Sequence, residues 1–392
     1  MSNKLTAVRA ANRSALFGAI DAQRDSLLAS SEADEALGTL CAASVEALVA
    51  SGALRMKLPR VLGGFEADLV TQMEVLERLA MINPAVSWCA MVGATSLAMP
   101  GAFLPDAGLA RMFADGQIPR GAIVVTPTGV ATPVGGGYRL NGRWGFASGV
   151  RHAQWLVAIS RVERSADAPP ELHFMVLPVA QCEILDNWQV VGLRGTGSCD
   201  VVVDNIFVAQ EMSFALTDVP RRGGALYSIG LPGFVAYEHA GFALGVARRV
   251  LDGLVTLVQS KKRGYAPGGN NVAERGSVQR LIGHAEMRLR AARALAVEVN
   301  EQVWELACAG QPISAEIQSA VRSAATYATE VSVEVVTDAF RNAGAGAIYA
   351  SHFMQRCLRD INVAAQHYMV ADTAYEQLGR ARLGYTDINP MG

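Results

Sequence analysis

Apolar and polar positions follow three successive rhythms along this chain. Up to about Arg120 they step by three and four residues, in EADEALGTLCAASVEALVASGAL and, after a Gly63-Gly64 break, in LVTQMEVLERLAMINPAVSWCAMVGA, which predicts a helical first unit. From about Gly121 to Gln210 short runs rich in β-branched and aromatic residues take over: GAIVV, YRLNGRWGFASG, QWLVAISRV, LHFMVLPV, CEILDNWQVVGL and CDVVVDNIFV. Separated by Gly, Pro, Asn or Asp, they predict six strands in a small barrel or sandwich. Beyond about Leu231 the helical rhythm returns. Leu289, Ala292, Ala296, Val299, Val303 and Leu306 form one apolar stripe, with Arg288, Arg290, Glu298, Glu301 and Glu305 off it, as expected of a helix in an antiparallel bundle. The order helices, strands, helices predicts an α+β fold in three units.

Composition narrows the function classes. Of the 392 residues 51% are hydrophobic and 18% charged, enough apolar material for two or three substantial units. A formal charge of −2 supplies no footprint for nucleic acid or an anionic membrane surface. Six scattered cysteines without CxxC spacing and six separated histidines signal neither a metal site nor a redox dithiol. The first 21 residues lack an apolar core of the export type, so the expectation is an unexported, cytoplasmic chain.

Two glycine-rich segments invite a phosphate-loop reading. GLRGTGS at 192–198 is followed by a strand pattern, whereas such a loop needs a helix N-terminus there, and AGAGA at 343–347 sits in a helical region as a packing or turn element. The segment NGRWGFASGVRHAQW, 141–155, is more informative. It carries two tryptophans, a phenylalanine, a serine and a histidine but no carboxylate or cysteine, residues suited to stacking on and hydrogen-bonding a flat ring that itself performs the chemistry.

The element order, together with PRVLGGFEADLVTQMEVLERLAMINPAVSW, LNGRWGFASG, NWQVVGLRGTGSCDVVVDNIFV and MQRCLRDINVAAQH, resembles the acyl-CoA dehydrogenase superfamily of flavoproteins over nearly the whole chain. Within it the chain is most similar to the oxygenase components of two-component flavin-dependent (group D) aromatic monooxygenases. The resemblance implies an N-terminal helical domain (1–120), a central β-barrel domain (121–228) and a C-terminal four-helix-bundle domain (229–392) in a homotetramer. It implies reduced FMN or FAD as cofactor, O2 as co-substrate, a separate NAD(P)H-dependent flavin reductase as partner, and hydroxylation through a flavin C4a-hydroperoxide.

By the same resemblance Ser148 takes the position that hydrogen-bonds flavin N5, and Phe146 that of the aromatic packed on the ring. Thr126, Thr196 and Ser198 are candidates near the ring or its phosphate tail, and Lys262 and Arg263, beside Lys261, for a neighbouring subunit's flavin phosphates. His367, following Arg359-Asp360, matches the histidine placed near oxygen and substrate.

Acyl-CoA dehydrogenases need a carboxylate base to remove the α-proton. Where their usual Tyr-Glu would stand, this chain has His367-Tyr368, leaving Glu238 as the alternative base. Phenol hydroxylases of the group commonly have a second histidine after the Ser-Trp motif, but here the segment offers Ala94 and Thr95. Trp88, Met91 and Met99 instead predict an apolar pocket for an indole, a polyketide ring or another hydrophobic heteroaromatic, with N-hydroxylation of an amine as a further alternative.

Overall fold

The computed structural model describes residues 3–114, 116–163, 169–263 and 270–392. Six helices come first: α1 (Asn3–Ala22), α2 (Arg24–Leu37), α3 (Ala42–Ala50), α4 (Leu69–Ile82), α5 (Pro84–Phe103) and α6 (Asp106–Met112). Seven strands follow, β1 (Gly121–Val134), β2 (Gly137–Trp144), β3 (Trp155–Val162), β4 (Glu171–Pro178), β5 (Glu183–Ile184), β6 (Val201–Ala209) and β7 (Ser213–Ala215). The chain then enters α7 (Ala236–Ser260), a two-residue ribbon of β8 (Lys262–Arg263) and β9 (Asn270–Asn271), α8 (Gly276–Cys308), α9 (Ala315–Ala343), α10 (Phe353–Ala364) and α11 (Thr373–Arg382).

The strands form one sheet in the order β5-β6-β2-β1-β3-β4-β7, antiparallel except for β1 beside β3. Between Val124 and Gly129 the β1–β3 register shifts, so the segment carrying Thr126 bulges out of the ladder. The expected strand CEILDNWQVVGL pairs only at Glu183–Ile184. The remainder turns away because its backbone is bound by α10: Arg359 donates to the Val191 carbonyl, and Asp360 Oδ1 accepts from Leu193 N at 2.6 Å.

Helix α5 is long and apolar enough to cross a membrane, yet it lies almost wholly buried at the centre of the chain. Helix α4 packs closely along α7. A β-carbon on Gly241 would stand 2.3 Å from the Met73 carbonyl oxygen, so only glycine permits that approach. On α8 the predicted stripe faces inward, with Leu289, Ala292, Ala296 and Val303 each no more than 3% exposed. One continuous apolar core runs from Leu16 in α1 to Val370 after α10 and joins all three units.

Candidate functional site

Four elements converge on Trp88. Asn83, whose side chain accepts from Val86 N, and Pro84 in the first helical position start α5 and set Trp88 in its second turn. The indole Nε1 donates to Ser148 Oγ at 3.1 Å. Around the indole, edge to face, stand His239 at 5.7 Å, Phe242 at 5.2 Å and His367 at 5.8 Å, and the two imidazoles lie 4.4 Å apart. Met91 lies buried nearly one turn further along α5.

Ser148 belongs to a loop that is zipped to a second one. Ala147 N donates to the Cys199 carbonyl at 3.1 Å and Gly149 N to the Thr196 carbonyl at 2.9 Å. In the first loop Phe146 has φ +62°, a costly conformation for a bulky residue, and its ring is 76% exposed, edge-on to Trp188 at 6.1 Å. The second loop is clamped to α10 through Asp360. A β-carbon on Gly192 would lie 2.4 Å from the Arg359 carbonyl oxygen, so the GLR motif and the RD pair make one joint. Burial pushes the Asp360 carboxyl up to about 7, partly offset by the hydrogen bond from Leu193 N.

Thr196 and Ser198 turn their hydroxyls toward Ser148. Oγ of Ser198 lies 2.7 Å from Oγ of Ser148 and 2.7 Å from Oγ1 of Thr196, which donates to the Leu193 carbonyl at 2.8 Å. Thr196 is 0% exposed, so its hydroxyl reaches the site only through Ser198 and Ser148.

His367 caps the turn 368–370, its Nδ1 accepting from Met369 N at 3.1 Å. A neutral ring in that role carries its proton on Nε2, making His367 a hydrogen-bond donor. Desolvation of the imidazole against its neighbours holds it below its ordinary value, while its outer edge stays open to solvent. Buried Arg322 fixes the turn, donating to the Tyr368 carbonyl at 2.9 Å and the Met369 carbonyl at 3.3 Å. His239 is 6% exposed, and burial, then His367 and Lys57, hold it well below its usual range.

Glu238, next to His239, is not the solvated group its place near a helix start suggests. It is 2% exposed, with Oε1 3.1 Å from the ammonium of Lys57, itself 0% exposed. Lys57 Nζ also donates to Thr95 Oγ1 at 3.0 Å and the Phe234 carbonyl at 2.8 Å, and lies 4.2 Å from the Phe234 ring centre. Burial pushes the Glu238 carboxyl up to about 7 and Lys57 down, and their mutual attraction opposes both shifts. Position in the first turn of α7 favours the anion as well.

The structure therefore gathers Trp88, Met91, Ser148, Thr196, Ser198 and His367 around one corner, with Phe146 exposed at its edge. Thr126 is exposed in the β1 bulge. Lys262 stands beyond the far end of α7, roughly 35 Å from His239 at 1.5 Å per residue, and the Arg263 side chain lies outside the described residues. Sequence reasoning missed Lys57, His239 and Arg322, and it used Asp360 only as a landmark. The partners of their side chains lie 38 to 181 positions away for the contacts of Arg322, Lys57 and Glu238, so no local pattern marks them.

Among the described residues no group of three or more potential ligands could hold a metal ion. Residues 237–372 match the family "Acyl-CoA dehydrogenase, C-terminal domain". The indole-3-acetate monooxygenase of Pseudomonas putida is 29% identical over 340 residues, 87% of this chain and 86% of that protein. The FADH2-dependent resorcinol hydroxylase, oxygenase component, of a Rhizobium species is 26% identical, covering 96% of this chain and 95% of that one. Among solved structures, the HsaA monooxygenase of M. tuberculosis superposes with a TM-score of 0.89 at 23% identity, over 97% of this chain and 100% of the other. XiaF from a Streptomyces species, in complex with FADH2 and glycerol, superposes with a TM-score of 0.85 at 22% identity, over 99% and 98%. Fold, family match and relatives converge: residues 237–372 match the C-terminal domain of acyl-CoA dehydrogenases, and over 87 to 96% of its length the chain is similar to an indole-3-acetate monooxygenase and to the oxygenase component of an FADH2-dependent resorcinol hydroxylase.

Proposed function

We propose that this chain is the oxygenase component of a two-component system, taking reduced FMN or FAD from a separate NAD(P)H-dependent reductase and using O2 to hydroxylate a hydrophobic aromatic molecule. The observation that carries the reading is the contrast at the start of α7: Glu238, the alternative α-proton base, is tied to Lys57, while His239, His367, Trp88 and Ser148 form a corner of neutral donors and aromatic walls. That corner suits a ring which brings its own redox chemistry. Ser148 keeps unused acceptor capacity, and exposed Phe146 with half-buried Trp188 offers a stacking edge. When bound, reduced flavin supplies the electrons that activate O2. The protein's share is to exclude water, orient the ring at Ser148 and offer the His367 Nε2 proton as a hydrogen-bond donor toward oxygen.

An indole or similar bicyclic ring fits Trp88, Met91 and Phe242 better than a phenol, whose hydroxyl would meet no second histidine on α5. The same reading places Lys262 at a neighbouring subunit's flavin in a homotetramer, consistent with its distance from this chain's own corner. The test supplies FMNH2 or FADH2 from a generic reductase with 18O2 and indole-3-acetate, indole or a short acyl-CoA, and follows products by mass spectrometry. One 18O in an aromatic product is expected. A 2-enoyl-CoA without label would establish a dehydrogenase instead.

A further inference from the structure

The hydroxyl cluster behind Ser148 has a direction, and that direction follows from counting protons. The Leu193 carbonyl can only accept, so Thr196, 2.8 Å from it, spends its single hydroxyl proton there. Any other rotamer would set two oxygens lone pair to lone pair at that distance. Thr196 Oγ1 must then accept from Ser198, 2.7 Å away, and Ser198 in turn must accept from Ser148, also at 2.7 Å. The Trp88 indole can only donate, so it fills one lone pair of Ser148 Oγ. Ser148 is left with its proton committed inward and one lone pair free.

We infer that this relay, running from Trp88 through Ser148, Ser198 and Thr196 to the Leu193 carbonyl, makes Ser148 an obligate acceptor and so selects the reduced over the oxidised flavin. The inference rests on the flavin reading above. An oxidised isoalloxazine presents a bare lone pair at N5, whereas the two-electron-reduced ring presents N5–H. Ser148 Oγ can accept a hydrogen bond from the second but has no proton to donate to the first, and with the relay buried water does not restore the balance. Ser198 and Thr196 are positioning residues acting through Ser148. A component that receives its flavin already reduced gains from such a bias, because spent oxidised flavin is released and does not block the site.

The test measures dissociation constants of the full chain for FMN and FAD, oxidised and, under argon, dithionite-reduced. The parent should bind the reduced form at least tenfold more tightly, about 1.4 kcal/mol at 25 °C. Ser198→Ala frees the Ser148 proton and should tighten oxidised-flavin binding about tenfold while leaving reduced-flavin binding nearly unchanged. Thr196→Val lets Ser198 turn its proton onto Ser148, so oxidised binding should tighten and reduced binding weaken. That variant leaves the Leu193 carbonyl its donors Thr196 N and Trp188 Nε1, so the loop keeps its ties. Thr196→Ser, which keeps the relay, should keep the parent's ratio. A role in loop rigidity alone would weaken both redox forms together, and an unchanged ratio in Ser198→Ala and Thr196→Val overturns the inference while the flavin reading survives. Failure of the parent to bind either form would overturn both.

Discussion

Glu238 and His239 are neighbours in the chain, yet they enter two regions that treat buried polarity in opposite ways. Glu238 meets Lys57 as a buried ionisable pair, both side chains almost wholly sealed, with the Lys57 amine held by Thr95, the Phe234 carbonyl and the Phe234 ring. His239 meets Trp88 and His367 in a region without a formal charge, where imidazoles and hydroxyls are kept neutral by desolvation and by each other. The Lys57–Glu238 pair is sealed from solvent, with Glu238 Oε1 beside the Lys57 ammonium but making no hydrogen bond of good geometry. The neutral region retains a free lone pair on Ser148 and a donor on His367, the groups on which the proposed function rests. The carboxylate near the start of α7 is thus paired in the core with a lysine 181 positions earlier.

The comparison breaks first at Lys57. Lys57→Met strands the Glu238 carboxylate in the core and should cost about 3 to 5 kcal/mol in unfolding free energy, as when one partner of a buried pair is removed. Lys57→Met with Glu238→Gln should recover most of it in denaturant titrations. Equal losses in the single and double variants would mean that packing, and not charge, is at stake.

In the neutral region, His367→Ala should lower product formation roughly 10²-fold and divert O2 to hydrogen peroxide, with flavin affinity kept. His367→Asn retains both a cap for the Met369 N–H and an outward donor, and should restore much of the yield. If His367→Asn is as impaired as His367→Ala, proton transfer and not hydrogen-bond donation is the role.

Asp360 sharpens the comparison, because it anchors the loop that carries the relay. Asp360→Ala leaves the buried Leu193 N–H without its acceptor and should cost about 1 to 3 kcal/mol. It should also weaken both redox forms of the flavin alike, in contrast to Ser198→Ala. Equilibrium unfolding and flavin titration distinguish the two variants.

The smallest effect is a slope. Burial keeps His239 from taking up the proton that the unfolded chain binds below about pH 6.5, so its share of stability is full above that pH and is lost as pH falls. Glu238 and Asp360, both raised to about 7, act oppositely: their share is present below the unfolded carboxyl value of about 4 and is lost as pH rises through 7. His239→Phe should therefore gain stability relative to the parent between pH 7 and pH 5. A constant difference across that range, read from urea midpoints, would show that His239 titrates normally.

Much of this architecture was legible in the chain. The stripe on α8 reflects a periodicity of 3.6, and the strand run 201–209 was marked by its β-branched and aromatic residues. The motifs GRWGFASG, GLRGTGS and RD were also visible, but their joint was not. Gly192 reads as a generic loop glycine until the Arg359 carbonyl is found against it, and CEILDNWQVVGL reads as a strand until α10 takes its backbone hydrogen bonds.

By itself the sequence determined the order of units, the faces that become core and the residue types available for ring stacking and hydrogen bonding, because these depend on side-chain chemistry and on neighbours within a turn or two of chain. Tertiary structure alone decided that Lys57 pairs with Glu238, that His239 joins His367, and that Ser148 meets Ser198. Each of those depends on a contact of 2.7 to 4.4 Å between positions 50 to 181 apart, such as Ser148 with Ser198 or Lys57 with Glu238. Hydrogen-bond direction and ionisation in a buried site follow from which donor or acceptor is adjacent in space, and chain order does not encode that adjacency.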